Sequence, residues 1–322
     1  MHQKRMASIF DYFFVLRPTL FFPIWTVFLA GYFVHAHQSN PDSGGFFALR
    51  TEFFTIQPGA LIACGFLTLL LGAAFILNQI TDIETDRKNS KLFLIACGHI
   101  AVKPALVEAG LLVGVSLLYA FGESVPTGIF YVVIFGVTGI FYSVQPFSGK
   151  DRPFSGLFVN AFAGLAVFIL GWLAHEQSAS FRAAIHAIPY VFAISGVYLC
   201  TTLPDEKGDR ETGKMTIGVK YGTKITTGFA LVANLGSIVS AFYLGDWLIF
   251  FPAIISLPFF ILAVFTRRMG DILRAIKFPI FFLALAVCWL FPFYFICILF
   301  IFMSSRWYYR ARFNLNYPSF SG

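Results

Sequence analysis

Residues 58–88 read PGALIACGFLTLLLGAAFILNQITDIETDRK, and this stretch decides the fold class. Its first 23 residues carry no charge; Asp82, Glu84, Asp86, Arg87 and Lys88 then follow within seven positions. At a rise of about 1.5 Å per residue, roughly 20 apolar residues in a helix cross the hydrocarbon of a bilayer. The segment therefore predicts a membrane-crossing helix whose end carries a cluster of acids.

The pattern recurs along the chain. Apolar stretches run over 19–37, 58–80, 101–121, 125–144, 154–174, 183–203, 225–244, 247–266 and 278–302. They predict an all-α, polytopic membrane protein of about nine transmembrane helices, a single domain over 1–322 in contact with membrane lipid. Composition agrees: 58% of the residues are apolar and 12% charged, against about 25% charged in soluble domains. Lys4 and Arg5 precede the first apolar run, but no small-residue cleavage site follows, so the run reads as a retained helix and not a removed signal. Cys64, Cys97, Cys200, Cys288 and Cys297 show no CxxC spacing, and neither a disulfide nor a zinc site is expected.

The net charge of +7 would suggest nucleic acid as a partner of a soluble protein. Here the bases sit in short loops between apolar runs. They read as topology signals, and no nucleic-acid partner is expected. Eighteen of the 23 Lys and Arg fall in segments on the side of the N-terminus, and only Arg50 and Arg182 fall in loops on the other side. Positive charge marks the cytoplasmic side, so the N-terminus and the loops on its side are expected in the cytoplasm, at the inner cell membrane. Nine crossings leave Arg306, Arg310 and Arg312 of the tail on the wrong side of that rule.

Asn78, Asp82 and Asp86 are spaced i, i+4, i+8, which puts three oxygen-bearing side chains along one stripe of a helix. Glu84, at an i+2 position, is off that stripe. A second cluster, Asp205-Glu-Lys-Gly-Asp209-Arg210, lies 123 residues further on and repeats the spacing, and each acid pair is followed by Arg. That echo suggests two similar helical halves. Both clusters end apolar spans on the same expected side. They are predicted to share one central cavity that opens to the cytoplasm. Carboxylates without His or Cys suit magnesium, which is held by one or two carboxylates together with substrate phosphates. Two facing clusters would clamp a diphosphate. Arg87, Lys88, Lys91, Lys150, Arg210 and Lys214 are candidates to bind its oxygens. A single DxxxD is readily a solvated helix end. Two of them at one membrane face, where acids are costly, point to function.

These residues resemble the UbiA-type superfamily of intramembrane prenyltransferases, which shows NxxxDxxxD after its second helix and DxxxD after its sixth. Asn78, Asp82 and Asp86 match the first motif, and Asp205 and Asp209 the second. Arg17-Pro18 at the first helix, the segment from Tyr142 to Lys150, Asn160, and the stretch from Thr202 to Thr216 extend the likeness over roughly residues 10–300. Two departures stand out. Phe93-Leu94 occupies the place of an Arg-Pro pair, and Ser148-Gly149 that of an Arg-Leu pair. The resemblance implies magnesium-dependent transfer of a prenyl group from a prenyl diphosphate to a lipophilic acceptor, aromatic or isoprenoid. It makes Asp82, Asp86, Asp205 and Asp209 metal ligands aided by Asn78, and Lys150 and Arg210 the favoured diphosphate ligands. Tyr142 would face the allylic carbon and stabilise its positive charge through the ring. The competing readings are a transporter with inward-facing acids and a UbiA-type terpene cyclase, which needs no acceptor.

Both acid clusters must share one membrane face for any of this chemistry. Single cysteines replacing Lys88 and Lys207, in a cysteine-free background, are predicted to react with a membrane-impermeant thiol reagent from the same side. Labelling from opposite sides would exclude a two-cluster site.

Overall fold

The structure is a computed structural model, and it describes residues 8–39, 55–88, 94–175 and 181–318. Lys4, Arg5, Arg50, Lys91 and Phe93, used above, lie outside these residues. Among the described residues every regular element is helical: α1 (Ile9–Phe14), α2 (Phe21–Ser39), α3 (Pro58–Thr81), α4 (Ile83–Lys88), α5 (Val102–Glu123), α6 (Val125–Phe135), α7 (Pro153–Leu173), α8 (Phe181–Thr201), α9 (Glu206–Glu211), α10 (Ile217–Leu244), α11 (Trp247–Thr266), α12 (Met269–Leu290) and α13 (Pro292–Phe313). Eight helical stretches among them are long and apolar enough to cross a membrane. α6 is shorter and continues through π-helical turns over Gly136–Phe141. Leu111, Leu118, Val232 and Phe265 are exposed along these helices. That is the surface expected of spans whose solvent is lipid and not water.

The described chain gathers into two compact units. One comprises 8–18, 65–88, 94–159 and 205–220, and the other 19–39, 55–64, 160–175, 181–204 and 221–318. In the first, Gln79 Nε2 near the end of α3 donates to the carbonyl of Val15 at 2.7 Å, tying the acid-bearing end of that span to the segment after α1. The short helices α4 and α9, which extend the two acid motifs, touch one another in this unit.

In the second unit α2 and α7 approach until their backbones meet. A Cβ added at Gly31 would overlap the carbonyl of Phe168, and one at Gly171 would overlap the carbonyl of Phe28. Small residues permit such contact between helices in lipid, where association depends on close packing. α13 packs along α2. The Tyr294 hydroxyl donates to Phe22 O at 2.6 Å and lies 2.7 Å from Thr26 Oγ1.

The expected ninth span, 278–302, is not one helix. It is broken at Phe291, whose φ of −126° and ψ of 82° are not helical, between α12 and α13. Pro292 explains the break, because proline lacks an amide hydrogen and disfavours helical geometry in the residue before it. Both arms are apolar, so hydropathy runs through the break. The Tyr317 hydroxyl sits 3.2 Å from Thr19 Oγ1, beside the start of α2. The tail thus returns to the end of α2 where the chain enters it. α10 also begins earlier than the expected 225, and non-helical Gly222 (φ 72°) interrupts it.

The α2–α7 contact yields a test. Gly171→Leu should lower the melting temperature of the detergent-purified protein, because a side chain there must push two backbones apart. The loss should be about 3 kcal/mol, the upper end of overpacking effects. Gly110→Ala, which faces open space on α5, should melt like the wild type.

Candidate active site

The site assembles around one carboxylate. Asp82 lies in the turn between α3 and α4 and is buried. Lys150 Nζ is 2.9 Å from Asp82 Oδ1, and it donates to Asn78 Oδ1 at 3.0 Å and to Thr81 Oγ1 at 2.6 Å. Lys214 Nζ also donates to Asp82 Oδ1. Two ammoniums from distant segments therefore share one carboxylate oxygen at the end of a membrane span.

Local backbone devices deliver each lysine. Ser148 adopts a left-handed conformation (φ 39°) and opens the tight turn Gly149–Asp151, on which Lys150 is 7% exposed. A Cβ on Gly149 would come within 3.0 Å of the Phe141 ring and 3.2 Å of its carbonyl. Glycine at 149 thus lets this turn lie against Phe141 without displacing it. Gly213 (φ 76°) ends α9 in a left-handed cap. The Gly213 and Lys214 amides donate to the carbonyls of Arg210 and Asp209 at 3.2 and 2.9 Å. That cap turns Lys214 back over its own helix. Where the Arg-Pro pair is absent, Leu94, Ile95 and Ala96 are buried, and Arg87 Nε holds their turn by donating to Ala96 O at 2.8 Å.

Asp86 and Asp209 are buried at 6% and 7% exposure, and Asp205 is half-buried at the start of α9. The two motifs meet through Thr85 and Thr212, whose hydroxyl oxygens are 3.5 Å apart. Lys88 Nζ also donates to Glu211 O at 3.2 Å. Lys214 bridges them electrostatically, since it feels Asp82, Asp151 and Asp209. Arg210 points elsewhere, with its side chain 63% exposed and paired to Glu206 at 2.8 Å. Tyr142 is half-buried beside the π-helical turns. Two neighbours of Lys150 escaped the sequence reading: Thr81, and Asp151, whose Oδ1 is 3.6 Å from Lys214 Nζ. A polar residue directly beside Lys150 was the available signal for Asp151.

In Asp82, Lys214 and Lys150 burial is the largest influence, and it opposes the charge. In Asp82 the attraction of Lys150 and Lys214 overcomes it and holds the carboxyl below the usual aspartate range. In Lys214, Asp82 leads the carboxylates that overcome it, and the ammonium is raised. In Lys150 burial wins despite Asp82, with repulsion from Lys214 acting in the same direction, and the ammonium is lowered.

Among the described residues no three His, Cys, Asp or Glu side chains stand close enough to hold a metal ion by themselves. The donor chemistry nonetheless fits magnesium: every candidate ligand offers oxygen, and that ion completes its shell with water and phosphate oxygens.

Comparison with known proteins agrees with this picture. The sequence signature of the UbiA prenyltransferase family matches residues 24–284. A coumarin 8-geranyltransferase from Citrus limon is 30% identical over 173 residues, 49% of this chain and 42% of that protein. A 2-acylphloroglucinol 4-prenyltransferase from Humulus lupulus is 26% identical over 188 residues, 53% of this chain and 45% of that protein. The match thus spans less than half the length of either relative. A UbiA homologue from Archaeoglobus fulgidus, solved with GPP and Mg2+, superposes with a TM-score of 0.64 at 16% identity, covering 90% of this chain and 99% of that one. The apo structure of a homologue from Aeropyrum pernix K1 gives 0.59 at 15% identity, covering 86% and 98%. These likenesses establish the fold.

Asp82→Asn should destabilise the protein at pH 7 by about 3 kcal/mol or more, since it leaves two buried ammoniums without their carboxylate. Adding Lys150→Met and Lys214→Met should restore most of the loss. The folded protein lowers the Asp82 pKa, so this stabilisation is present above an ordinary aspartate's range and fades as pH falls below about 4. Melting curves of wild type and Asp82→Asn should converge there.

Proposed function

The chain belongs to the UbiA prenyltransferase family, and from that premise we propose that it is a magnesium-dependent intramembrane prenyltransferase acting on a prenyl diphosphate and a lipophilic aromatic acceptor. The observation that carries the reading is the meeting of both acid motifs, with Lys214 spanning them, in one compact unit. A transporter would need no such pairing of oxygen donors with phosphate-binding cations at helix ends. The names of the Citrus and Humulus relatives support the aromatic acceptor. The Archaeoglobus homologue's GPP and Mg2+ support the donor substrate and the metal.

In this proposal Asp82, Asp86, Asp205 and Asp209, helped by Asn78, hold the metal. Magnesium, when bound, supplies Lewis-acid stabilisation of the charge that develops on the leaving diphosphate. Lys150 and Lys214 bind diphosphate oxygens, and both already stand at the acid centre. Arg87 and Arg210 are engaged by Ala96 and Glu206 and have lesser parts, while Lys91 lies outside the described residues. The allylic C–O bond breaks with its electron pair going to the diphosphate. The acceptor's ring carbon bonds to the allylic carbon and then loses its proton. Tyr142 is assigned to stabilise the allylic cation. The positive-inside rule places the acid motifs and N-terminus on the cytoplasmic face of an integral membrane protein.

Membranes containing the protein, given prenyl diphosphates of several lengths and a panel of phenolic acceptors, should yield a prenylated product by mass spectrometry. EDTA should abolish it and magnesium restore it. Asp209→Ala should cut turnover by about 10³-fold or more, about 4 kcal/mol of barrier, while the protein stays monodisperse. Undiminished product after chelation would contradict the assignment. Product from prenyl diphosphate alone would favour a cyclase.

A further inference from the structure

The turn that presents Lys150 also presents a carboxylate. Asp151 is held to the Lys214 segment twice. Its carbonyl accepts the Met215 amide at 2.9 Å, and its Oδ1 lies 3.6 Å from Lys214 Nζ. That Oδ1 is shielded from solvent and receives no hydrogen bond, so the neighbouring ammonium compensates its charge. Lys150 feels the charge of Asp151 as well. Lys150, Asp82, Lys214 and Asp151 therefore form a chain of alternating charge, built from three segments of one compact unit.

We infer that Asp151 is a positioning residue for prenyl diphosphate binding: it gives the Lys214 ammonium, which rests on Asp82, a second carboxylate that holds it at the site when Asp82 turns to the metal. The inference rests on the function proposed above. Lys214 already has Asp82 as its dominant partner. With Asp151 neutralised, it either stays on a carboxylate assigned to the metal or leaves the site when the metal takes that carboxylate. The sign of this effect is diagnostic. If Asp151 acted only through its charge, removing a negative group near an anion site would tighten anion binding. A positioning role requires that binding weaken.

The measurement is equilibrium binding of an unreactive geranyl thiolodiphosphate, with magnesium, to the full-length protein in detergent. Asp151→Asn should weaken binding about tenfold, and Asp151→Glu should keep most of the affinity. In a Lys214→Met background the same Asn substitution should change affinity by less than about twofold, because the side chain it positions is gone. Asp151→Ser takes the place of the Asn variant if that one does not fold. Binding by Asp151→Asn as tight as wild type or tighter, or an equal loss in the Lys214→Met background, overturns the positioning role alone. A wild-type protein that binds no analogue overturns the proposed function and this role with it.

Discussion

Asp82 holds two lysine ammoniums on one carboxylate oxygen, at the end of an apolar span, largely out of water. A charge in such a place is tolerated only when paired and hydrogen-bonded, and losing one member leaves the others uncompensated. The constraint reaches far along the chain. Asp82 comes from the turn after α3, Lys150 from the turn at Gly149–Asp151, and Lys214 from beyond the cap of α9. Once those three segments must meet, much else in this unit follows. The left-handed Ser148, the side-chain-free Gly149 against Phe141, and the left-handed Gly213 all deliver a lysine to a carboxylate. Gln79, bonded to Val15, fixes the end of the span that carries Asp82.

The same arrangement accounts for stability and for the proposed chemistry. Lys214 is drawn by Asp82, Asp151 and Asp209, and Lys150 by Asp82 and Asp151. On the proposed function a divalent ion joins these acids, and the diphosphate in turn gives Lys150 and Lys214 a new anionic partner. The lysines that hold the acids together are then the groups that meet the substrate. Asp151 holds Lys214 at the site when Asp82 turns to the metal.

Much of this was legible in the sequence, for physical reasons. Runs of about 20 apolar residues have few alternatives to a membrane helix, and i, i+4 spacing puts Asp82 and Asp86 on one face whatever surrounds them. What escaped was decided by tertiary contacts or by one residue. The break at Phe291 depends on Pro292 inside an apolar run that hydropathy cannot resolve. The contacts of Arg87 with Ala96 O and of Arg210 with Glu206 are likewise set by the folded arrangement. Asp151 carries no motif of its own; its partner Lys214 lies 63 residues away in the chain and only the fold brings the two together. The departures at Phe93-Leu94 and Ser148-Gly149 stood out from the family pattern. In the structure Leu94 is buried in the turn that Arg87 holds, and Gly149 packs tightly against Phe141.

The central claim is that the carboxylates around Asp82 form one divalent-metal site whose lysines turn to the diphosphate. Anomalous diffraction from crystals grown with Mn2+ and an unreactive prenyl diphosphate tests it directly. The account predicts a manganese peak between the two acid motifs, with Lys150 and Lys214 Nζ against diphosphate oxygens. A peak elsewhere, or both lysines still closed on Asp82 with the diphosphate bound, would contradict it.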